Sequence, residues 1–309
     1  MFVKTPQMTT CQQSSNSCRS TQFNQIPRRL QMTRDASALS IGQLVTLACT
    51  LEVSAPKPGN VHRSADFEDL CFQDFIDSAI AIGPVFDKAL SLSLGELVLQ
   101  SIQATQRLVA TNTNLGLVLL MAPIAKAASS ENLSDGISSV LENLTADDAH
   151  KVYEAINLAQ SSSLGTADDM DVSAEPPTDL LLAMRHAQDR DMIAKQYVTG
   201  FTDLLTRIVP RLETELSNYD ESEAIVRTHV WCMSAFPDSL IARKRGIDAA
   251  EASRTLAEEA VNVSDESEYW RLVSDLDFWL RCDGHARNPG TTADLVGAAL
   301  LVSLLASRG

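Results

Sequence analysis

The sequence predicts an all-α fold, a multi-helix globular bundle around apolar central helices. Apolar residues recur at the 3.6-residue spacing of one helix face along most of the chain. Runs of β-branched and aromatic residues alternating with polar ones are missing, and aromatics make up only 5% of the chain. Glycine is scarce, 13 in 309 residues, which is low for a parallel sheet with many tight turns.

The helical pattern starts after Ala36. Ser40-Ile41-Gly42 leads into Leu44, Val45, Leu47, Ala48 and Leu51, a single apolar stripe. That helix must stop before Pro56, because proline disfavours helical geometry in the residue before it. The same reading predicts helices over 66–80, 95–110, 114–129, 133–143, 147–161, 178–209, 220–235, 247–262, 266–281 and 291–307. Asp and Thr recur at their starts, as side-chain capping requires, with Thr145 set before Asp148 and Thr178 before Leu181. The acidic, proline-containing stretch 165–177 is the best internal break, and it reads as a site loop rather than a domain linker. No repeat of 20–50 residues is visible.

Residues 1–35 differ from the rest. They are rich in Gln, Ser, Thr and Asn, with five basic residues and no acid before Asp35. They hold no apolar run of signal-peptide length, and they read as a disordered tail or as translation begun too early. Residues 36–309 are expected to form the folded, all-helical domain. The longest apolar runs, 115–125 and 295–306, are too short to span a membrane and read as core helices.

With 25 basic and 40 acidic residues the net charge is −15, which argues against a general nucleic-acid-binding face. Cysteines 11, 18, 49, 71, 232 and 282 form no CxxC pair, so the chain reads as cytoplasmic. Cys49, Cys71 and Cys232 are expected as buried thiols.

Four segments place polar residues against apolar helices. Glu52 to Arg63 contains Pro56-Lys57-Pro58-Gly59-Asn60, a rigid loop whose Lys57, His62 and Arg63 can offer cations to a polyphosphate. Thr111-Asn112-Thr113-Asn114-Leu115-Gly116 opens a very apolar helix; its amides can cap that helix or help hold an anion. Asp168, Asp169 and Asp171 put three carboxylates in four residues, a set suited to a hard cation and equally to a solvated loop. Asp238 and Arg243 share a short element after an apolar helix, and Asp294 begins the last helix after Asn288-Pro289-Gly290. Asp294 is favoured there by the helix dipole, yet the helix it opens is apolar, and a buried carboxylate needs a partner. No P-loop, HExxH or GxSxG motif occurs.

In this order, Pro56-Lys57-Pro58-Gly59, Asn112-Thr113-Asn114-Leu115-Gly116, Asp238-Ser239-Leu240 with Arg243, and Pro289-Gly290-Thr291-Thr292-Ala293-Asp294-Leu295 resemble the triphosphoribosyl-dephospho-CoA synthase family over about residues 40–307. The resemblance implies a transferase with an all-helical fold. In that family the ribose 2′-hydroxyl of 3′-dephospho-CoA attacks C1′ of ATP, and adenine leaves. ATP as substrate and Mg²⁺ are implied with it. So are small-molecule partners rather than nucleic acid or membrane, and a homodimer through the apolar helices is consistent with the pattern. Asp238, Asp294 and Glu96 are then candidates for base work. Lys57, His62, Arg63 and Arg243 would hold phosphates, and Asn112, Asn114 and Asn288 would orient ribose or phosphate. Asp168, Asp169 and Asp238 are the candidates for Mg²⁺.

The chain departs from the family pattern at Asn114-Leu115, at Gly290-Thr291 and over residues 64–70. These departures leave room for a related acceptor in another cofactor pathway, or for water as acceptor. A helical scaffold or nucleotide-binding protein without catalysis is the contrasting class. Such a scaffold has no need of Lys57, Asp238, Arg243 and Asp294 together.

Overall fold

The computed structural model describes residues 38–161 and 178–308. The described residues are 72% helical and form fourteen α-helices. The first five are α1 (Ile41–Ser54), α2 (Phe72–Phe86), α3 (Leu94–Gln106), α4 (Leu115–Lys126) and α5 (Leu133–Glu142). Next come α6 (Ala146–Ser161), α7 (Leu180–Ala187), α8 (Met192–Val198), α9 (Val209–Asn218) and α10 (Glu221–Ala235). The last four are α11 (Ser239–Arg245), α12 (Ile247–Val261), α13 (Glu266–Arg281) and α14 (Gly290–Ala306). The predicted bundle class is therefore observed.

Helices α4 and α14 form the centre. Leu117 to Ala125 and Leu295 to Val302 are buried without interruption. A helix apolar on every side can only be satisfied by neighbours all round. Accordingly α14 packs on α1, α4, α9 and α10, and α4 also meets α3 and α5. The remaining helices turn a polar face outward.

Capping fixes several starts. Ser40 Oγ accepts from the Gln43 N–H at 3.2 Å while Gln43 Oε1 accepts from the Ser40 N–H at 2.9 Å, a reciprocal box at the start of α1. Thr145 and Asp148 do the same before α6, where the Asp148 N–H donates to Thr145 Oγ1 at 3.1 Å. At α7 the cap is Asp179, not Thr178.

Three expectations need correction. The helix expected over 66–80 begins only at Phe72, because residues 62–70 form two tight bridges, His62 with Ala65 and Phe67 with Leu70. Asp66 then accepts from the Phe72 N–H at 2.7 Å and opens the helix there. The single helix expected over 178–209 is broken. Asp191 caps a new helix, and Gly200 and Phe201 both adopt positive φ. Residues Leu204–Ile208 then form a π-helical turn ahead of Pro210, which has no N–H to continue an α ladder. Finally, a four-residue strand, Cys282–His285 (β1), follows α13 where no strand was expected.

Cys49 and Cys232 are buried thiols, and burial pushes the Cys232 thiol up to about 12. Cys71 is only half-buried, at the start of α2, contrary to expectation. Among the described residues no helix is long and apolar enough to cross a membrane.

Candidate active site

The loop after α1 contributes first. Glu52 falls on the buried stripe of α1 with Ala48, Cys49 and Val53. Lys57 turns back toward it and is 0% exposed. Its ammonium sits 2.8 Å from Glu52 Oε1 and also donates to the Glu52 carbonyl. A buried cation is tolerable only with such pairing. Gly59 holds φ +76°, which lets the loop fold under α13, where the Gly59 N–H donates to Asp277 Oδ1 at 2.7 Å. Asn60 Nδ2 donates to Asn288 Oδ1 at 2.6 Å, joining this loop to the start of α14.

Asp238 holds the other side. It is 2% exposed. The Leu240 and Ile241 N–H groups donate to its Oδ1 at 2.9 and 3.0 Å. The Thr292 N–H and hydroxyl donate to its Oδ2 at 2.8 and 2.7 Å. One carboxylate therefore fastens the first turns of α11 and α14 together. Burial pushes its pKa up, against the pull of these four donors. The Met192 N–H donates to Ser239 Oγ at 3.3 Å, and Ser239 Oγ to Thr291 Oγ1 at 3.1 Å, so the start of α8 joins the same cluster.

Asp294 lies at the meeting point. Its Oδ2 sits so close to Gly116 that a Cβ there would come within 2.0 Å. The first turns of α4, α8, α11 and α14 thus converge around one half-buried carboxylate. No described residue donates a hydrogen bond to it. Its pKa is held well above the usual carboxylate range, chiefly by removal from water and then by the charges of Glu52, Asp238 and Asp191, with Arg243 pulling the other way. A carboxylate so placed holds a proton more readily than an exposed one, and aligned N–H groups at helix starts such as those of α4 and α14 favour an anionic ligand.

The other expected residues separate into two groups. Arg243, on α11, is exposed and within electrostatic reach of Asp294. Asn288 bonds Asn60 as above. His62 is half-buried, its pKa lowered first by burial and then by Arg281 and, further down, by Lys57; Arg63 beside it is exposed. Asn112 is exposed, and its Oδ1 accepts from the Leu115 N–H at 3.2 Å, a plain cap of α4. Asn114, by contrast, turns inward, and its Nδ2 donates to Thr105 Oγ1 at 2.9 Å on α3. Glu96 caps α3 through Ser93 and pairs with Lys151 on α6 at 3.2 Å. It acts electrostatically on Lys126, the last residue of α4. The 12 residues of α4 span roughly 18 Å, so Glu96 lies a helix length from Asp294.

Asp168 and Asp169 lie outside the described residues. Among the described residues no three His, Cys, Asp or Glu side chains are grouped to hold a metal, and both oxygens of Asp238 are already occupied by protein donors. The described donor set does not fit a resident Mg²⁺.

Four residues of the site were not singled out from sequence: Glu52, Asp191, His229 and Thr292. Glu52 and His229 each carry a readable signal, a polar residue on an apolar stripe. Asp191 carries none beyond ordinary capping, and Thr292 lies within the 289–295 motif, which does not reveal its bond to Asp238.

The described chain is a helical bundle whose helix starts meet at a carboxylate of raised pKa, and helix starts can receive an anionic ligand. Residues 38–309 match the family CitG, ATP:dephospho-CoA triphosphoribosyl transferase. The chain belongs to that family and is a transferase of the triphosphoribosyl-dephospho-CoA synthase type. A solved structure from Archaeoglobus fulgidus, assigned as a triphosphoribosyl-dephospho-CoA synthase, is similar to it. That likeness has 25% identity and a TM-score of 0.58, over 75% of this chain and 98% of the other. No curated protein sequence matches the chain.

Proposed function

We propose that the chain transfers the 5-triphosphoribosyl group of ATP to the ribose 2′-hydroxyl of 3′-dephospho-CoA. The C1′–N9 bond breaks with its electron pair going to adenine, a C1′–O bond forms, and the departing adenine takes up one proton from solvent, balancing the one lost by the hydroxyl. The hydroxyl's own proton passes to a base. The observation that carries this reading is Asp294: a carboxylate of raised pKa, with no donor among the described residues, at a focus of helix starts. A base is most useful when its pKa lies near the working pH.

Asp294 takes the hydroxyl proton in this reading, and the Glu52 carboxylate supports positive charge growing on the ribose. Asp238 fixes the first turns of α11 and α14 and so places Arg243 and Asp294. The triphosphate, entering with its own Mg²⁺ as part of the substrate, meets Arg63, Arg243, His62 and the N–H groups of α4 and α14. Asn112 and Asn288 orient ribose hydroxyls in this reading. Lys57 is enclosed and works through Glu52.

Chromatography of adenine released from MgATP, with and without 3′-dephospho-CoA, tests the proposal. Release that requires dephospho-CoA is expected. Equal release without it would make water the acceptor, and no release under either condition would refute the transfer.

A further inference from the structure

Residues 62–70 bond largely to themselves. The His62 N–H donates to the Ala65 carbonyl at 3.1 Å, and the Ala65 N–H to the His62 carbonyl at 2.9 Å. The Phe67 N–H donates to the Leu70 carbonyl at 2.9 Å. No residue of the segment is buried, and Arg63, Ser64, Asp66, Glu68 and Asp69 are exposed. Both ends are pinned. Before the segment, the Asn60 carbonyl accepts from Arg281 Nη2 on α13, and the Asn60 amide bonds Asn288. After it, the Cys71 N–H donates to Asp74 Oδ2 at 2.8 Å where α2 starts.

The part between is caught at the end of β1. His285 Nδ1 lies 2.9 Å from Asp69 Oδ1, and the His285 and Phe67 rings meet edge to face with centroids 5.7 Å apart. The Arg281 guanidinium lies 5.5 Å from the same Phe67 ring. From His285 the chain turns at once toward α14, with the Asn288 N–H donating to the His285 carbonyl at 3.2 Å. The root of the segment at Asn60 and its catch at His285 therefore stand together beside the helix that carries Asp294. An exposed ionic pair and one ring contact are weak bonds, so a segment held this way opens at small cost while its ends stay in place. Two donors ride on it. Arg63 is exposed. The Ser64 N–H donates to His62 Nδ1 at 3.3 Å, which leaves Nε2 to carry the proton of the neutral ring.

We propose that residues 62–70 are a flap that lifts to admit the nucleotide and closes behind it, and that His285 is the positioning residue that catches it. Closing brings Arg63 and His62 to the triphosphate at the start of α14. This rests on the transfer reading above. The triphosphate passes through that reaction intact, so donors on the flap hold bound substrate and transition state alike. Loss of the catch should then appear in KM rather than in kcat.

Two measurements on the full chain test it. Trypsin cleavage of the Arg63–Ser64 bond, followed by mass spectrometry, reports opening, because the bond must leave its turn to enter the protease. His285→Ala should speed this cut about tenfold, and MgATP should slow it in the wild type. Equal rates in the two chains overturn the catch. Absence of protection by MgATP, in a chain that releases adenine, overturns the closing. In the adenine-release assay, His285→Ala and Asp69→Ala should each raise KM for ATP about tenfold with kcat within about twofold, and the double variant should be no worse than either single one. A KM for ATP that stays within about twofold of wild type in both single variants overturns the role, as do losses that multiply in the double variant. A wild-type chain that releases no adenine refutes the transfer reading instead, and the two cleavage rates then decide the catch.

Discussion

Asp294 and Asp238 begin as similar acids at similar helix starts, yet their surroundings give them different work. Asp238 accepts four hydrogen bonds from two helices, whereas no described residue donates one to Asp294. Asp294→Asn should therefore cut kcat for adenine release by a factor of about 10²–10⁴, the range for a lost general base, with helicity by circular dichroism unchanged. Stability should move the other way. An acid whose pKa rises on folding takes up protons on folding, so its contribution is fully present at low pH and is lost as pH climbs through the raised value. Asp294→Asn should accordingly raise Tm at pH 7–8 by about 2–4 °C, the shift expected for roughly 1 kcal/mol in a chain of this size, with the gain shrinking toward pH 4. Asp238→Ala should instead cost about 2–4 kcal/mol in a denaturant titration, because buried N–H donors of two helices lose their acceptor. Sequence made both acids visible, since each stands at a helix start beside an apolar run. It did not show which oxygens were already engaged, because Thr292 reaches Asp238 across 54 residues. Nor did it show that Lys57 points inward. A loop lysine faces solvent or protein according to what surrounds it, and here Glu52 waits on the buried stripe of α1.

Helices set the site by where they begin. Gly116 allows the first turn of α4 to rest on Asp294, and any side chain there would collide with the carboxylate. Gly116→Ala should therefore abolish adenine release and cost about 1–3 kcal/mol of stability, as overpacking does, read by Tm and by the release assay together. Gly59→Ala meets two obstacles, a positive φ and a Cβ 2.8 Å from Leu280 Cδ1 and from Pro289 Cδ. A loss of about 2 kcal/mol or more is expected in a denaturant titration. Periodicity and caps made the existence and order of nearly all the helices legible. The failure over 178–209 has a local cause. Apolar spacing runs on through the segment, but Asp191 offers a competing cap, and the chain must turn at Gly200-Phe201 to bring α8 beside α14. Tertiary need decided that break, and periodicity does not report it.

The residues around Asp294 come from every part of the described chain: Glu52, Gly116, Asp191, Asp238 and Thr292. Such a site exists only when α1, α4, α8, α11 and α14 are all docked. Loss of adenine release in urea should therefore coincide with the loss of helicity; activity that disappears well before the helices would show that the site opens separately. The family match begins at residue 38, and a chain starting there should release adenine at the wild-type rate. The clamp between Asp238 and Thr292 carries a consequence for synthesis as well. Thr292 is made 54 residues after Asp238, so a nascent chain that has only reached α11 has a cap without its partner. The starts of α11 and α14 can lock together only once α14 has been made.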